Sequence, residues 1–339
     1  MQKRFFCVRG FMKSGTNWLG SLLSSHKEID CVGEFHWQDH VGPMNRAMKN
    51  VPIYQDDPKM AKHVRDEFEA FIKRMLIARA EPKARLIGDR TPHTIEPIVL
   101  RGAPHISIIR DGRDVLVSRA FHLYNRPESH KLFERFPELN AVLENFREDP
   151  WFFKNNPEKL LCNEVMVRES SRWWREHLEK DRKVVDKFPK LPVCFIKYEA
   201  LHADVETERN KLFEFLGVKP RKAAKIEGHL KPGFTEERPN EFLRKGTVGD
   251  WKNYFNDDAK RWMKEEAGEE LHNRATLKTP TGRLNYYRIN FGSWLYFYKF
   301  ETHTNPTATR CCWITLKLRL LMIAKSVSLV ATAPANQRC

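Results

Sequence analysis

Four consecutive residues near the N-terminus have the composition of an anion-binding loop. Lys13, Ser14, Gly15 and Thr16 follow a short apolar run and precede an apolar segment with helical character. Backbone N–H groups at a helix start are free, and the helix dipole adds positive potential there. The lysine adds a full charge, the two hydroxyls add donors, and the glycine lets the backbone approach a ligand. The pattern therefore predicts an anion site; the structural alternative is a plain turn with a solvent-facing lysine.

A second candidate anion site lies further along the chain. Arg110 ends a predicted buried strand, and Ser118 follows about two turns along the next predicted helix. Ligands of α/β proteins bind at the carboxyl ends of strands. A guanidinium fork with a nearby hydroxyl suits a phosphate monoester. The structural alternative is a surface ion pair of Arg110 with Asp111 or Asp114.

A third region, Phe242–Asn253, places Arg244 and Lys245 directly before Gly246. Two cations beside a glycine, whose backbone N–H is accessible, also favour an anion. Three such regions in one chain are more specific than any one of them, because short motifs match by chance.

Together these regions resemble the sulfotransferase family. The segment 12–19 resembles the family's PKSGTTWL loop and departs from it at Met12 and Asn17. The segment 110–118 matches its RxxRDxxxS motif, and the segment 244–253 matches its RKGxxGDWKN element at every fixed position. The matches run in family order from Phe5 to about Leu271. A kinase loop reads GxxxxGK[ST], so the early lysine here disfavours ATP as the substrate.

The resemblance implies that 3′-phosphoadenylyl sulfate (PAPS) is the donor and that 3′-phosphoadenosine 5′-phosphate (PAP) is the product. The first loop is expected to grip the 5′-phosphosulfate, the second motif the 3′-phosphate, and the third to close over the nucleotide. Trp18 and Tyr198 are expected to lie against the adenine. Tyr198 belongs to the weaker match Ile196–Glu199, and core packing is the structural alternative for Trp18. The implied donor-binding residues are Lys13, Ser14, Gly15, Thr16, Asn17, Trp18, Arg110, Ser118, Tyr198, Arg244, Lys245 and Gly246.

Sulfuryl transfer needs a base for the acceptor proton and cations near the leaving oxygen. Glu34, with His36 and Asp39, resembles the E-x-H-x-x-D element of heparan-type carbohydrate sulfotransferases, where the glutamate is the base. Arg90 replaces the lysine of their EKTP element. Because a permanently charged guanidinium cannot shuttle a proton, its expected role is electrostatic stabilisation, shared with Lys13.

His93 is the rival base. It resembles the histidine of the K-T-H-L-P element of cytosolic small-molecule sulfotransferases, displaced by one position. Imidazole has a suitable pKa for proton transfer near neutrality. We prefer Glu34, and both residues stay candidates. No metal ion is predicted.

The elements that must position these residues alternate between strands and helices. Apolar runs predict strands at 4–8, 85–88, 105–109 and 193–197, with a further strand just before Glu34. Helices are predicted at 17–25, 58–80, 114–123, 164–187, 205–216 and 257–271. This alternation predicts an α/β fold with three layers, a central mostly parallel sheet flanked by helices, and the resemblance makes it the P-loop-like sulfotransferase fold. The predicted core stripe of the second helix is Phe68, Phe71, Ile72, Met75 and Leu76.

We expect one sulfotransferase domain over residues 1–271. Residues 125–163, rich in proline and aromatic residues, are an insertion that forms either a lid or acceptor wall, or a surface elaboration. Residues 272–339 form a basic tail that carries +9 of the net charge of +15. Lys317, Arg319 and Lys325 interrupt its apolar stretch, so a membrane-surface helix and a segment outside the folded enzyme are the alternatives.

Composition sets the remaining expectations. The mildly basic body does not indicate a nucleic-acid partner. The seven scattered cysteines of the whole chain favour a reducing compartment over a disulfide framework or zinc site. The first strand leaves no room for a signal peptide, so a cytoplasmic enzyme is predicted. The predicted acceptor is a hydroxyl, or less readily an amine, of a small intracellular metabolite or natural product. The alternatives are a carbohydrate O-sulfotransferase and a catalytically silent nucleotide-binding protein, and the oligomeric state is not predicted.

Overall fold

A five-stranded sheet forms the centre of the computed structural model, which describes residues 2–126, 134–233, 236–242 and 244–273. The strand order is β2-β3-β1-β4-β5, and every neighbouring pair is parallel. The predicted α/β fold with its parallel sheet is confirmed. The strands are β1 (Arg4–Gly10), β2 (Ile29–Gly33), β3 (Leu86–Arg90), β4 (His105–Ile109) and β5 (Val193–Lys197).

Helices cover both faces of this sheet. The described helices are α1 (Thr16–Ser24), α2 (Gln38–Asn50), α3 (Pro52–Asp56), α4 (Pro58–Arg79), α5 (Gly112–Tyr124), α6 (Leu139–Glu148), α7 (Phe152–Asn155), α8 (Glu164–Lys187), α9 (Tyr198–Ala203), α10 (Val205–Phe215) and α11 (Asp257–Asn273). On one face of the sheet, Phe6 and Val8 of β1 pack with α1, α9 and α10. On the other face, Cys7 and Ile109 pack with α2, α4, α5, α8 and α11. Alternate residues of a strand point to opposite faces, so the two hydrophobic layers follow from the continuous apolar strands.

The core stripe predicted for α4 is partly wrong. Ile72 and Leu76 are fully buried, but the side chains of Phe71 and Met75 stay about two-fifths exposed (41% and 39%). The charged residue Glu69 is buried instead, because it pairs with Arg101 and Lys73. A buried carboxylate with two cationic partners can occupy a core-facing helix position.

The described part of the insertion, residues 134–163, contributes side chains to the hydrophobic core. Leu143 and Phe146 of α6 and Phe153 of α7 are buried against Phe121 and Tyr124 of α5. Residues 127–133 lie outside the described part, so a lid or acceptor-wall role stays a prediction.

The C-terminal boundary differs slightly from the expected one. Helix α11 continues to Asn273, two residues past the predicted end of the domain at Leu271. The predictions for the tail from residue 274 onward fall outside the described residues. No helix in the described part of the chain is both long and apolar enough to cross a bilayer.

The strand order creates a crevice at the carboxyl ends of β1 and β4. The chain leaves β1 toward β2 on one side of the sheet, whereas β4 leads to β5 on the other. Adjacent strands whose connections diverge in this way leave a gap between their loops, and ligands of open α/β sheets bind there.

Candidate active site

Every predicted site residue outside the Phe242–Asn253 segment follows the carboxyl end of a strand or lies on the helix that begins there. Lys13 follows β1, Glu34 follows β2, Arg90 ends β3, Arg110 follows β4 and Tyr198 follows β5. Because the strands are parallel, these five ends share one edge of the sheet.

The loop after β1 has the local geometry of an anion cradle. Gly15 is the N-cap of α1 with φ 100°, and Lys13 also has a positive φ of 66°. A Cβ atom at Gly15 would lie 2.7 Å from the ring of Tyr198, so the position needs glycine for both conformation and space. The hydroxyl of Ser14 is buried and has no hydrogen-bond partner among the described residues. An unsatisfied buried donor at a helix start is what an anionic ligand would complete.

The ammonium group of Lys13 lies in a strongly positive environment. It sits 3.8 Å from the ring centroid of Phe242 and donates to that residue's carbonyl at 3.3 Å. Burial, followed by the charges of Arg110, Arg126 and Arg244, lowers the pKa of Lys13 to about 8. Like charges that crowd together in this way favour a polyanionic ligand, which would offset their repulsion.

Arg110 links the first loop to the C-terminal loop. Its guanidinium donates to the carbonyls of Thr247 at 2.8 Å and Lys13 at 3.3 Å, and stacks 4.3 Å from the ring of Tyr198. Its buried Nε atom has no partner in the described part of the chain. Ser118 is half-buried on α5, the helix that begins just after Arg110.

The C-terminal loop has its own charge network. Arg244 pairs with Glu237 and Asp250, and Lys245 Nζ lies 2.9 Å from Asp250 Oδ1. Tyr198 donates its hydroxyl to the carbonyl of Gly246 at 2.6 Å. These contacts mean that the two cations hold the loop in shape. Their direct contact with the nucleotide stays a prediction.

Asp114 anchors the same loop to α5. Its carboxylate accepts backbone N–H bonds from Gly249 at 2.7 Å and Trp251 at 2.9 Å, and the residue is almost fully buried. Arg113 stacks 3.7 Å from the Trp251 ring, while its Nη2 lies 2.8 Å from the Asp111 carboxylate. The surface ion pair considered for Asp114 is therefore replaced by a structural role, which sequence reasoning missed.

Replacing Asp114 by alanine should lower the free energy of unfolding by about 2–4 kcal/mol. Two partly buried N–H groups would lose their acceptor, and each unsatisfied group costs about 1–3 kcal/mol. Chemical denaturation measures the change, with the fully exposed Asp257→Ala as the matched control. Equal stability of the two variants would contradict the anchor.

Glu34 is connected to the first loop through Arg90. Arg90 Nη1 lies 2.9 Å from Glu34 Oε1 and also donates to the side-chain oxygen of Asn17. A Cβ atom at Gly20 would lie 2.7 Å from Arg90 Cδ, so the absence of a side chain at Gly20 makes room for the Arg90 side chain against α1. Arg90 and Asn17 line a cavity of about 530 Å³, together with Ser21. Glu34 is thus exposed and is connected through Arg90 to Asn17 at the start of α1.

The imidazoles of His36 and His93 lie at the same end of the sheet. His36 Nε2 is 3.6 Å from Glu34 Oε2. Burial, opposed by a backbone contact at Thr94, lowers the pKa of His93, and the charges of Asp39 and His36 also reach it. A neutral His93 can accept a proton at pH 7, so the structure keeps both candidate bases near the site.

The aromatic pair expected at the adenine is assembled from two elements. Trp18 of α1 meets Tyr198 edge to face at a centroid distance of 5.5 Å and donates its Nε1–H to the carbonyl of Leu230 at 3.0 Å. Both rings lie beside the loop at Gly15. Trp18 is only half-buried, so a face stays accessible to a ligand.

Comparison with known proteins finds sulfotransferases among both the similar sequences and the similar structures. Cytosolic sulfotransferase 3 of Arabidopsis thaliana is 25% identical over 271 residues, covering 73% of this chain and 70% of the relative. The 3-beta-hydroxysteroid sulfotransferase of Cavia porcellus is 25% identical over 264 residues, covering 72% and 76%. A solved mouse sulfotransferase, SULT7A1 complexed with PAP, is 18% identical with a TM-score of 0.39 and covers 83% of this chain and 88% of its own.

The family assignment rests on a match to a family model. Residues 4–274 match the family described as the sulfotransferase domain, which includes every element that carries a candidate site residue. The predicted family and enzyme class are confirmed. The chain belongs to the sulfotransferase domain family.

Proposed function

We propose that this enzyme transfers a sulfuryl group from PAPS to a hydroxyl group of a small intracellular molecule. One observation carries the proposal: cations and unpartnered buried donors converge on the loop after β1. The unpartnered donors are Ser14 Oγ, Arg110 Nε and Thr247 Oγ1, judged among the described residues. A nucleotide with phosphates at its 3′ and 5′ positions would supply acceptors to such groups. The residues therefore fit PAPS, and a cytoplasmic location is part of the same proposal.

The chain's residues divide the reaction between them. Glu34 accepts the proton of the acceptor hydroxyl while that oxygen forms its bond to sulfur. The bond from sulfur to the bridging phosphate oxygen breaks, and Lys13 stabilises the charge that develops on this oxygen. Arg90 positions the Glu34 carboxylate. Arg110, with Ser118, holds the 3′-phosphate so that the donor is aligned.

The donor is tested by comparing PAP with AMP. PAP should bind far more tightly, because AMP lacks the 3′-phosphate and its charge-assisted hydrogen bonds. Arg110→Ala should weaken PAP binding by about 1.5–3 kcal/mol and AMP binding much less. Calorimetric titration measures both, and the exposed Arg147→Ala on α6 is the control. Equal affinity of the wild-type chain for PAP and AMP would rule out the donor assignment.

A further inference from the structure

Arg119 is a cation near the site that the proposed reaction leaves unused. It follows Ser118 on α5, and its Nε donates to the hydroxyl of Ser170 on α8 at 3.1 Å. Its guanidinium also touches the sulfur of Met12 and lies 4.9 Å from the ring centroid of Trp173. Burial lowers the pKa of Arg119, and the nearby Glu169 charge opposes this only in part.

The partners of Arg119 differ from those of other arginines around α8. Arg168 and Arg172 form close ion pairs with glutamates of α11. Within the described residues, no carboxylate oxygen lies within 4.0 Å of the guanidinium of Arg119. A partly buried guanidinium held by a hydroxyl, a thioether and an indole ring retains unused donors. An anionic ligand group would use them.

Two exposed apolar side chains lie beside these donors. Met12 and Trp173 are 37% and 46% exposed. An indole ring and a thioether together suit a flat, apolar or aromatic ligand body. The surface thus combines one cation with a hydrophobic floor.

This surface adjoins the loop after β1. Met12 immediately precedes Lys13, whose side chain lies against the Phe242 ring. One turn beyond Trp173 on α8, His177 stacks edge to face on Phe11 at 5.5 Å and lies within the electrostatic reach of His93. Through the buried His177, this surface is connected to the loop after β1 and to the neighbourhood of His93, one of the two candidate bases.

We propose that Arg119, Trp173 and Met12 form an acceptor subsite that selects molecules carrying a carboxylate next to a flat, apolar body. This inference rests on the proposed function, because it names the class of the acceptor for that reaction. The planar fork of Arg119 binds the carboxylate by paired hydrogen bonds, and the Trp173 ring covers the apolar part. The hydroxyl to be sulfated lies at the opposite end of the acceptor, toward the candidate bases His93 and Glu34.

The test measures binding to the full chain saturated with PAP. The probes are 4-hydroxybenzoate, 4-hydroxyphenylacetate and 3-(4-hydroxyphenyl)propionate, each compared with its methyl ester by calorimetric titration. At least one acid should bind roughly 10- to 100-fold more tightly than its ester, the range for a charge-assisted hydrogen bond. Arg119→Gln should abolish this preference, and Arg119→Lys should restore part of it, because lysine keeps the charge and loses the fork.

Two further variants separate the subsite from general effects. Arg172→Gln removes an exposed arginine from the same helix as Trp173 and should leave the preference unchanged. Trp173→Ala should weaken acid and ester alike. PAP affinity that stays at the wild-type value shows that each variant is folded.

The inference is overturned if no acid binds more tightly than its ester, or if the preference survives in Arg119→Gln. Neither result affects the donor assignment, which fails separately if PAP binds no better than AMP. Sulfation of the acids by labelled PAPS, with the same preference in kcat/KM, supports both.

Discussion

In the Glu34→Gln variant, turnover should fall by about 10²–10⁴-fold, while PAP affinity barely changes. Glutamine keeps the shape and the hydrogen bond to Arg90 but cannot accept the acceptor proton, and a positioned base contributes about this factor. Among the described residues, the Glu34 carboxylate pairs with Arg90 and His36, neither of which is a predicted donor-binding residue, so the nucleotide site should be preserved. Steady-state kinetics with labelled PAPS and PAP titration measure the two effects.

His93→Gln is the matched comparison and should cost much less. Its imidazole nitrogen Nδ1 already contacts the hydroxyl of Thr94 at 3.1 Å, so the ring also has a structural role. An inactive His93→Gln enzyme together with near-normal kcat in Glu34→Gln would assign the base to His93. The similarity of Val32–Asp39 to the heparan-type element would then be coincidental.

Replacing Lys13 by methionine should lower kcat by about 10²–10³-fold, the cost of removing one donor from a developing oxyanion. The wild-type enzyme should also show an alkaline limit. Lys13 has a pKa of about 8 in the free protein, so it is charged below that pH and neutral above it. The value of kcat/KM for PAPS should therefore decline as the pH rises through about 8, because this parameter reports groups of the free enzyme.

The pH profile of Lys13→Met supplies the check. The decline near pH 8 should be absent in this variant and should persist in Lys260→Met, which removes an exposed lysine of α11. If the alkaline decline remains in Lys13→Met, another group causes it, and the assigned environment of Lys13 is wrong.

Local patterns were sufficient to predict most elements. The helix α8 begins and ends at the predicted residues, Glu164 and Lys187, because its apolar spacing is regular over six turns and Asn163 caps it. The strand ends that carry Lys13 and Arg110 were also predictable, since buried parallel strands are continuous apolar runs. Helix α2 was not, because Pro43 lies inside it and the flanking residues are polar.

The contacts that organise the site were not predictable. The link from Glu34 through Arg90 to Asn17 joins three elements, and only the β2-β3-β1 strand order brings them together. The same holds for the exposure of Phe71, because its ring packs against Trp37 in a loop rather than against the sheet. Motif spacing predicts which residues meet a ligand, whereas side-chain pairing depends on tertiary neighbours that are distant in sequence.

The central position of β1 in the sheet affects how the chain folds during its synthesis. Phe5 of β1 pairs with Ile87, and Val8 pairs with Ile106, so neither edge of this strand has a partner until β3 and β4 have left the ribosome. At about 5–20 residues per second, the first of these partners is translated roughly 4–16 s after β1. During that interval Phe6, Cys7 and Val8, all fully buried in the native state, are exposed. The nascent chain should therefore bind a chaperone that recognises extended apolar segments, and it should release this chaperone only after residue 109 has emerged.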